Sequence, residues 1–151
     1  MQLTQFTDNG LRTLIQLASF PERRLTIDDI HRVFRMSRPH LAKVVFRLNQ
    51  LGFIQSTRGK NGGIELAQKP EDISIGEVVR ALEPHFDLLE CFNSETNTCP
   101  LAGPCRLQHA LTKARDAFLA QLDELTLADM SRGHRRHFDN LIAQQEGKAK
   151  V

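Results

Sequence analysis

The segment from Ser37 to Gly52 constrains the chain most. Leu41, Val44, Val45, Leu48 and Leu51 recur at i, i+3, i+4, i+7 and i+10, the spacing of one buried helical face. Ser37 stands at a capping position, Pro39 falls in the first turn, where proline is tolerated, and Gly52 suits a helix stop. The outward face carries Arg38, His40, Lys43, Arg47 and Gln50. This helix must bury one side and present a cationic surface on the other.

Its neighbours define a motif. Thr26 is expected to cap a preceding helix, with Asp28 and Asp29 at the positive end of its dipole and Ile30, Val33 and Phe34 inward. Arg35-Met36 makes a short turn between the two helices. An earlier helix is expected from about Asn9 to Phe20, capped by Thr7 or Asp8, with Leu11, Leu14, Ile15 and Ala18 on one face. After Gly52 come two strand candidates, Phe53 to Thr57 and Gly63 to Ala67, joined through Arg58-Gly59-Lys60-Asn61-Gly62. Two helices, a short turn and a basic-tipped hairpin read as a winged helix-turn-helix. Ser74-Ile75-Gly76-Glu77 has the pattern of a capping box opening a fourth helix to about Leu82.

Charge follows the same segment. From Arg23 to Lys60 there are nine Lys/Arg against Asp28 and Asp29, a local net of +7 in a chain of formal net charge +2. A basic stretch in an otherwise slightly acidic chain fits a polyanion, although a solvated basic face would look the same. A helix of this kind can enter the major groove of double-stranded DNA. Ser37, Arg38 and His40 lie near its N-terminus, the end that meets bases, and Arg38 is placed for a guanine edge. Lys43 and Arg47 suit phosphates, and Arg58 and Lys60 at the hairpin tip suit the backbone or the minor groove. Protein contacts are the alternative use of a winged helix.

The second half differs in character. Residues from Pro84 to Pro104 read as loop, and all three cysteines, Cys91, Cys99 and Cys105, fall in or beside it. A long helix is expected from about Cys105 to Leu125. Its stripe of Leu107, Leu111, Ala114, Phe118, Leu122 and Leu125 suits pairing with another helix. Beyond Ser131 the chain is polar and histidine-rich, either partly disordered or a loose last helix. The expected fold class is mainly α: a winged helix-turn-helix with a two-stranded wing, plus a long C-terminal dimerisation helix. The expected divisions are 1–83 for the DNA-binding region (helix-turn-helix about 26–51, wing about 53–67), 84–105 for the cysteine loop, 106–131 for the dimerisation helix and 132–151 for a polar tail.

No run of 18 apolar residues exists, and the first six residues lack a basic stretch followed by an apolar run. A cytoplasmic protein with no membrane association is expected. In that compartment three cysteines argue against a disulfide framework. The C-x7-C-x5-C spacing is not that of a zinc ribbon, which shows close C-x-x-C pairs. Three soft thiolates suit an iron–sulfur cluster or a metal; incidental thiols or a redox thiol are the alternatives. No Cys/His/Asp arrangement supports an enzyme.

Several motifs together resemble one family. Met1-Gln2-Leu3-Thr4, Phe6-Thr7-Asp8 and Gly10-Leu11-Arg12 are the first. Arg58 to Ile64 in the wing, Ile75-Gly76-Glu77-Val78-Val79-Arg80, and Leu122 to Asp129 complete the set. They are similar to the NsrR-type repressors, nitric-oxide-sensing members of a bacterial family of dimeric winged-helix regulators that also includes IscR. The similarity covers about residues 1 to 130. It implies a homodimer, with one iron–sulfur cluster per subunit, [2Fe–2S] or [4Fe–4S], held by Cys91, Cys99 and Cys105. In the nitric-oxide-sensing branch an aspartate of the partner subunit can be the fourth ligand, and Asp8 matches it. In the IscR branch a histidine three residues past the last cysteine serves; here that position is Gln108, and His109 comes one later. Arg12 is placed to pair with Asp8 when no cluster is bound. Asn9 replaces the usual aromatic, and the first cysteine spacing is long.

The implied function is repression of nitric oxide detoxification genes from a palindromic operator, with nitric oxide as the releasing signal. A same-fold regulator responding to iron or redox status is the alternative.

Overall fold

The computed structural model describes residues 2–59 and 62–148. Lys60 and Asn61 of the expected hairpin tip lie outside the described residues. The elements in chain order are α1 (Gln5–Ser19), α2 (Ile27–Phe34), α3 (Arg38–Gln50), β1 (Ile54–Thr57), β2 (Gly63–Leu66), α4 (Ile75–Leu82), α5 (Arg106–Asp123), α6 (Leu127–Ser131) and α7 (His134–Lys148). Short 3-10 turns stand at Pro70–Asp72 and Glu90–Phe92.

α1 starts a turn earlier than the apolar spacing suggested. Thr4, rather than Thr7 or Asp8, caps it by accepting the Thr7 N–H. Asp8 therefore sits inside the first turn. α2 opens on a full capping box in which the Thr26 and Asp29 side chains each satisfy the other's backbone N–H. It closes at Arg35, whose φ of 58° is the one positive value among described non-glycine residues. The His31 ring meets the Met36 carbonyl at 2.6 Å and staples the turn into α3. Ser37 occupies the cap position of α3 but makes no side-chain capping bond. Leu41, Val44, Val45 and Leu48 face the core as expected, and Gly52 at φ 76° ends the helix.

β1 and β2 pair antiparallel with Ile54 opposite Leu66 and Thr57 opposite Gly63. Leu25 adds a bridge to Ile64, with hydrogen bonds of 2.9 and 2.7 Å, and so ties the wing to the start of the helix-turn-helix. Gly62 closes the wing tightly: a Cβ there would strike the Thr57 carbonyl.

One apolar core runs through α1, α2, α3, the wing and α4, with Leu119 of α5, Leu127 of α6 and Phe138 of α7 completing it. Ser74 caps α4. The strand-like stretch before α4 pairs with the turn after α5 through Ile75 N–H to Leu125 O and Leu127 N–H to Ile73 O, each 2.9 Å. Arg80 and Asp123 reinforce that join as a two-pronged ion pair. The end of α5 is thus anchored to the winged helix. Its beginning is not: Leu107 is exposed and Leu111 only half-buried. The buried residue of α5 is Leu119, which is not part of the expected stripe.

The polar C-terminal stretch folds back. A second Thr/Asp capping box at Thr126 and Asp129 opens α6. α7 then lays Phe138 against Phe20 and Phe34, and Arg135 pairs with Glu22 at 2.7 Å. No helix among the described residues is long and apolar enough to cross a membrane.

Candidate nucleic-acid interface and cysteine loop

The first turn of α3, the start of α2 and the wing border one open groove, lined in part by Thr26, Asp28, Arg38, Ser56, Thr57 and Gly59. Arg38 projects from the first turn of α3, where its guanidinium is held by Asp28 at 2.6 Å. That hydrogen bond, and then the guanidinium charge, keep the Asp28 carboxyl below its ordinary pKa. Both side chains are well exposed, so the pair is weak and can open to another acceptor. Among the described residues Lys43, Arg47 and Arg58 are exposed, and their side chains make no hydrogen bond or ion pair. They are free cations on one surface.

His40 is placed differently from the outward position expected of it. It is half-buried, its ring meets Phe6 of α1 edge-on at 5.9 Å, and its Nε2 is buried with no hydrogen-bond partner. His40 therefore joins the first turn of the recognition helix to the first turn of α1. Sequence spacing could not separate this from an outward residue, because 40 lies at the border of the polar face.

Asp8 lies on that same first turn of α1. Its carboxylate accepts from the Arg12 guanidinium at 3.0 Å, with a closest ion-pair distance of 2.8 Å. Both side chains are nearly half exposed. The pair is the one that the spacing of one helical turn between Asp8 and Arg12 predicts. Asp8 borders a shallow hollow formed with Gln2, Leu3, Gln5 and Leu11.

The cysteine loop begins at a clamp the sequence did not reveal. The Glu83 carboxylate, just past α4, accepts from the Thr4 N–H and from the hydroxyls of Thr4 and Thr7. The start of the loop is thereby bound to the end of α1 that carries Asp8. Cys91, Cys99 and Cys105 are all free thiols and all half-buried. Cys105 is the N-cap of α5, its sulfur accepting the Gln108 N–H at 3.5 Å. The Gln108 side chain also donates to the Cys91 carbonyl at 2.7 Å. Arg115 lies over the Phe92 ring at 5.3 Å. These contacts bring the Cys91 turn to the first turns of α5. Cys99 sits in a separate turn, bonded through its N–H to Asn97 and through its carbonyl to Ala102. His109 is exposed on α5.

The donor set suits an iron–sulfur cluster in its chemistry: three soft thiols, none oxidised to a disulfide, one at a helix N-terminus. Among the described residues, no three Cys, His, Asp or Glu side chains converge as a metal-holding group. The structure thus joins the Cys91 turn to the first turns of α5 through Gln108, a contact in which Cys99 and Asp8 take no part.

Comparison with known proteins places the chain. Residues 3–133 match the Rrf2 family, described as iron-dependent transcriptional regulators. The HTH-type transcriptional regulator NsrR of Bacillus licheniformis is 47% identical over 131 residues, which span 86% of this chain and 92% of that protein. Among solved structures, IscR of T. potens superposes with a TM-score of 0.69 at 26% identity, over 86% of this chain and 85% of its own. CymR, the global cysteine regulator of B. subtilis, gives a TM-score of 0.69 at 26% identity, over 87% and 96%. These relatives bear out both the winged-helix fold and the NsrR-type resemblance, and they are regulators rather than enzymes. The chain belongs to the Rrf2 family of iron-dependent transcriptional regulators.

Proposed function

We propose that the chain is a homodimeric, DNA-binding transcriptional repressor of nitric oxide detoxification genes, with one iron–sulfur cluster per subunit. Ser37, Arg38, Lys43, Arg47, Arg58 and Lys60 would grip one half-site of a palindromic operator, with α3 in the major groove. Cys91, Cys99 and Cys105 would hold the cluster, and Asp8 of the partner subunit would complete its ligands. When bound, the cluster would supply an iron whose carboxylate ligand is weak and exchangeable, and hence open to a diatomic gas.

The chain's own residues supply the response. Arg12 holds the Asp8 carboxylate, and in this reading the cluster of the partner subunit would be its alternative partner. An exposed pair of this kind contributes little, so releasing it costs little. α1 carries Asp8, and through Phe6 it touches His40 of α3. A displacement of the first turn of α1 is therefore felt at the first turn of the recognition helix. Glu83 fixes the start of the cysteine loop to that same turn. A nearly complete switch requires the DNA-binding geometry to be favoured by a few kcal/mol in one state.

The observation that carries this reading is the set of three free thiols on a loop clamped to the Asp8 turn. The identity to proteins named NsrR supports the choice of signal. The experiment is anaerobic purification followed by visible absorption and native mass measurement, before and after nitric oxide. The reading requires a coloured dimer of cluster-bound subunits whose cluster mass is altered by nitric oxide. A cluster indifferent to nitric oxide but lost on iron limitation would favour the iron- or redox-responsive reading instead, and a colourless zinc protein would overturn both.

A further inference from the structure

The outward face of α3 is divided lengthwise. Lys43, Arg47 and Gln50 recur four and three residues apart and form a polar row; Pro39, Ala42 and Phe46 recur three and four apart and form an apolar row beside it. All six residues are exposed. Phe46 is the conspicuous member, with 64% of its surface open to solvent. The other large exposed apolar side chains, Leu89, Leu101 and Leu107, belong to the cysteine loop and the start of α5. Phe46 alone among them stands on the DNA-binding half. It packs neither on the core nor on another ring among the described residues. The inward face of α3 is already filled by Leu41, Val44, Val45 and Leu48. The ring is thus displayed at the middle of the recognition helix, between the free cations Lys43 and Arg47.

We propose that Phe46, with Ala42 one turn before it, is a specificity-determining contact for thymine C5-methyl groups in the major groove. This rests on the DNA-binding reading above and deepens it. The cations of the adjoining row suit phosphates, which fixes the helix in register and turns the apolar row towards base edges. Of the four bases only thymine offers a methyl group there. A phenyl ring can neither donate to guanine O6 and N7 nor accept from cytosine or adenine amino groups. Placed over those bases it would bury polar atoms without partners, which is unfavourable. Phe46 therefore selects thymine both by contact and by exclusion. Arg38, at the helix N-terminus, reads by hydrogen bonds, so the two residues divide each half-site between two kinds of recognition.

The test uses the full-length anaerobic protein and duplexes that it selects from a random pool. Each thymine of the selected half-site is replaced in turn by uracil, which removes the methyl and leaves pairing intact. One or two positions per half-site should lose affinity about fourfold for each methyl. The Phe46→Ala variant should lose that sensitivity at those positions and keep it elsewhere. Phe46→Leu, which retains an apolar group, should keep part of it and carries the comparison where the alanine variant binds too weakly to measure. Uracil sensitivity identical in the wild type and both variants would overturn the role of Phe46. Failure of the wild-type protein to enrich any duplex would overturn the DNA-binding reading itself.

Discussion

Replacing Phe138 by alanine tests how the C-terminal helix is held. The Phe138 ring is 4% exposed and lies against Phe20 at 6.2 Å and edge-on to Phe34 at 5.8 Å. A phenylalanine buries about 150–250 Å², and at about 25 cal/mol per Å² this is worth about 4–6 kcal/mol, an upper bound. Truncation of a buried Phe to Ala ordinarily costs about 3–5 kcal/mol. The rest of the α7 contact is modest: Leu141 and Ile142 are only partly buried, and the Arg135–Glu22 pair is exposed. An isolated helix of 15 residues is marginal in water. The variant should therefore release α7 rather than hold a cavity. Hydrogen exchange is the assay. Amides of α7 should lose their protection, helicity should fall by about that one helix, and α3 should keep its protection. Retained protection across α7 in Phe138→Ala would refute the claim that this ring holds the helix down.

Other perturbations separate the parts. Arg38→Ala should lower operator affinity by about one to two orders of magnitude per half-site while leaving binding to random DNA nearly unchanged; a gel shift against both duplexes reads this, and an unchanged ratio would exclude base reading by Arg38. Gly76→Ala should loosen the α4–α5 join, because a methyl there would strike the Asp123 carboxylate that Arg80 holds; the melting temperature should fall, and less so in an Asp123→Ala background, which removes the struck atoms. The Arg80 hydrogen bond holds the Asp123 carboxyl below its ordinary pKa. A depressed carboxyl stabilises the fold above the ordinary carboxylate range and stops doing so as pH falls through the folded value, so Asp123→Asn should flatten the acid limb of stability below about pH 4. Asp8→Ala should leave Arg12 only its contact over the Phe34 ring, without lowering thermal stability appreciably, since the ion pair is exposed; a large loss would mean that Asp8 is a structural residue.

Local patterns in the sequence were sufficient for the DNA-binding half. The stripe from Leu41 to Leu51, the Thr26 cap and the glycine-bounded hairpin each depend on residues close in sequence, and each is found in the structure. What escaped the sequence depends on distant pairs. Thr4 displaces Thr7 and Asp8 as the cap because it also donates to the Glu83 carboxylate, 79 residues away. His40 turns towards Phe6 because α1 passes beside α3, which no periodicity reports. The stretch beyond Ser131 is polar in composition, yet one ring, Phe138, meets two others and docks a whole helix. Gln108 was visible only as a departure from a histidine position. The structure gives it a use of its own, tying the Cys91 turn to α5. The Thr126–Asp129 capping box was legible in principle, since its T-x-x-D spacing stands within the stretch that carried the resemblance.

The central claim is that occupancy of the cysteine loop governs operator binding by the winged helix. The direct measurement is anaerobic operator affinity for three samples: the cluster-bound protein, the same protein after nitric oxide, and Cys99→Ser purified alongside. The account predicts tight binding in the first and weak binding in the other two, with all three remaining folded. Equal operator affinity in all three would contradict it.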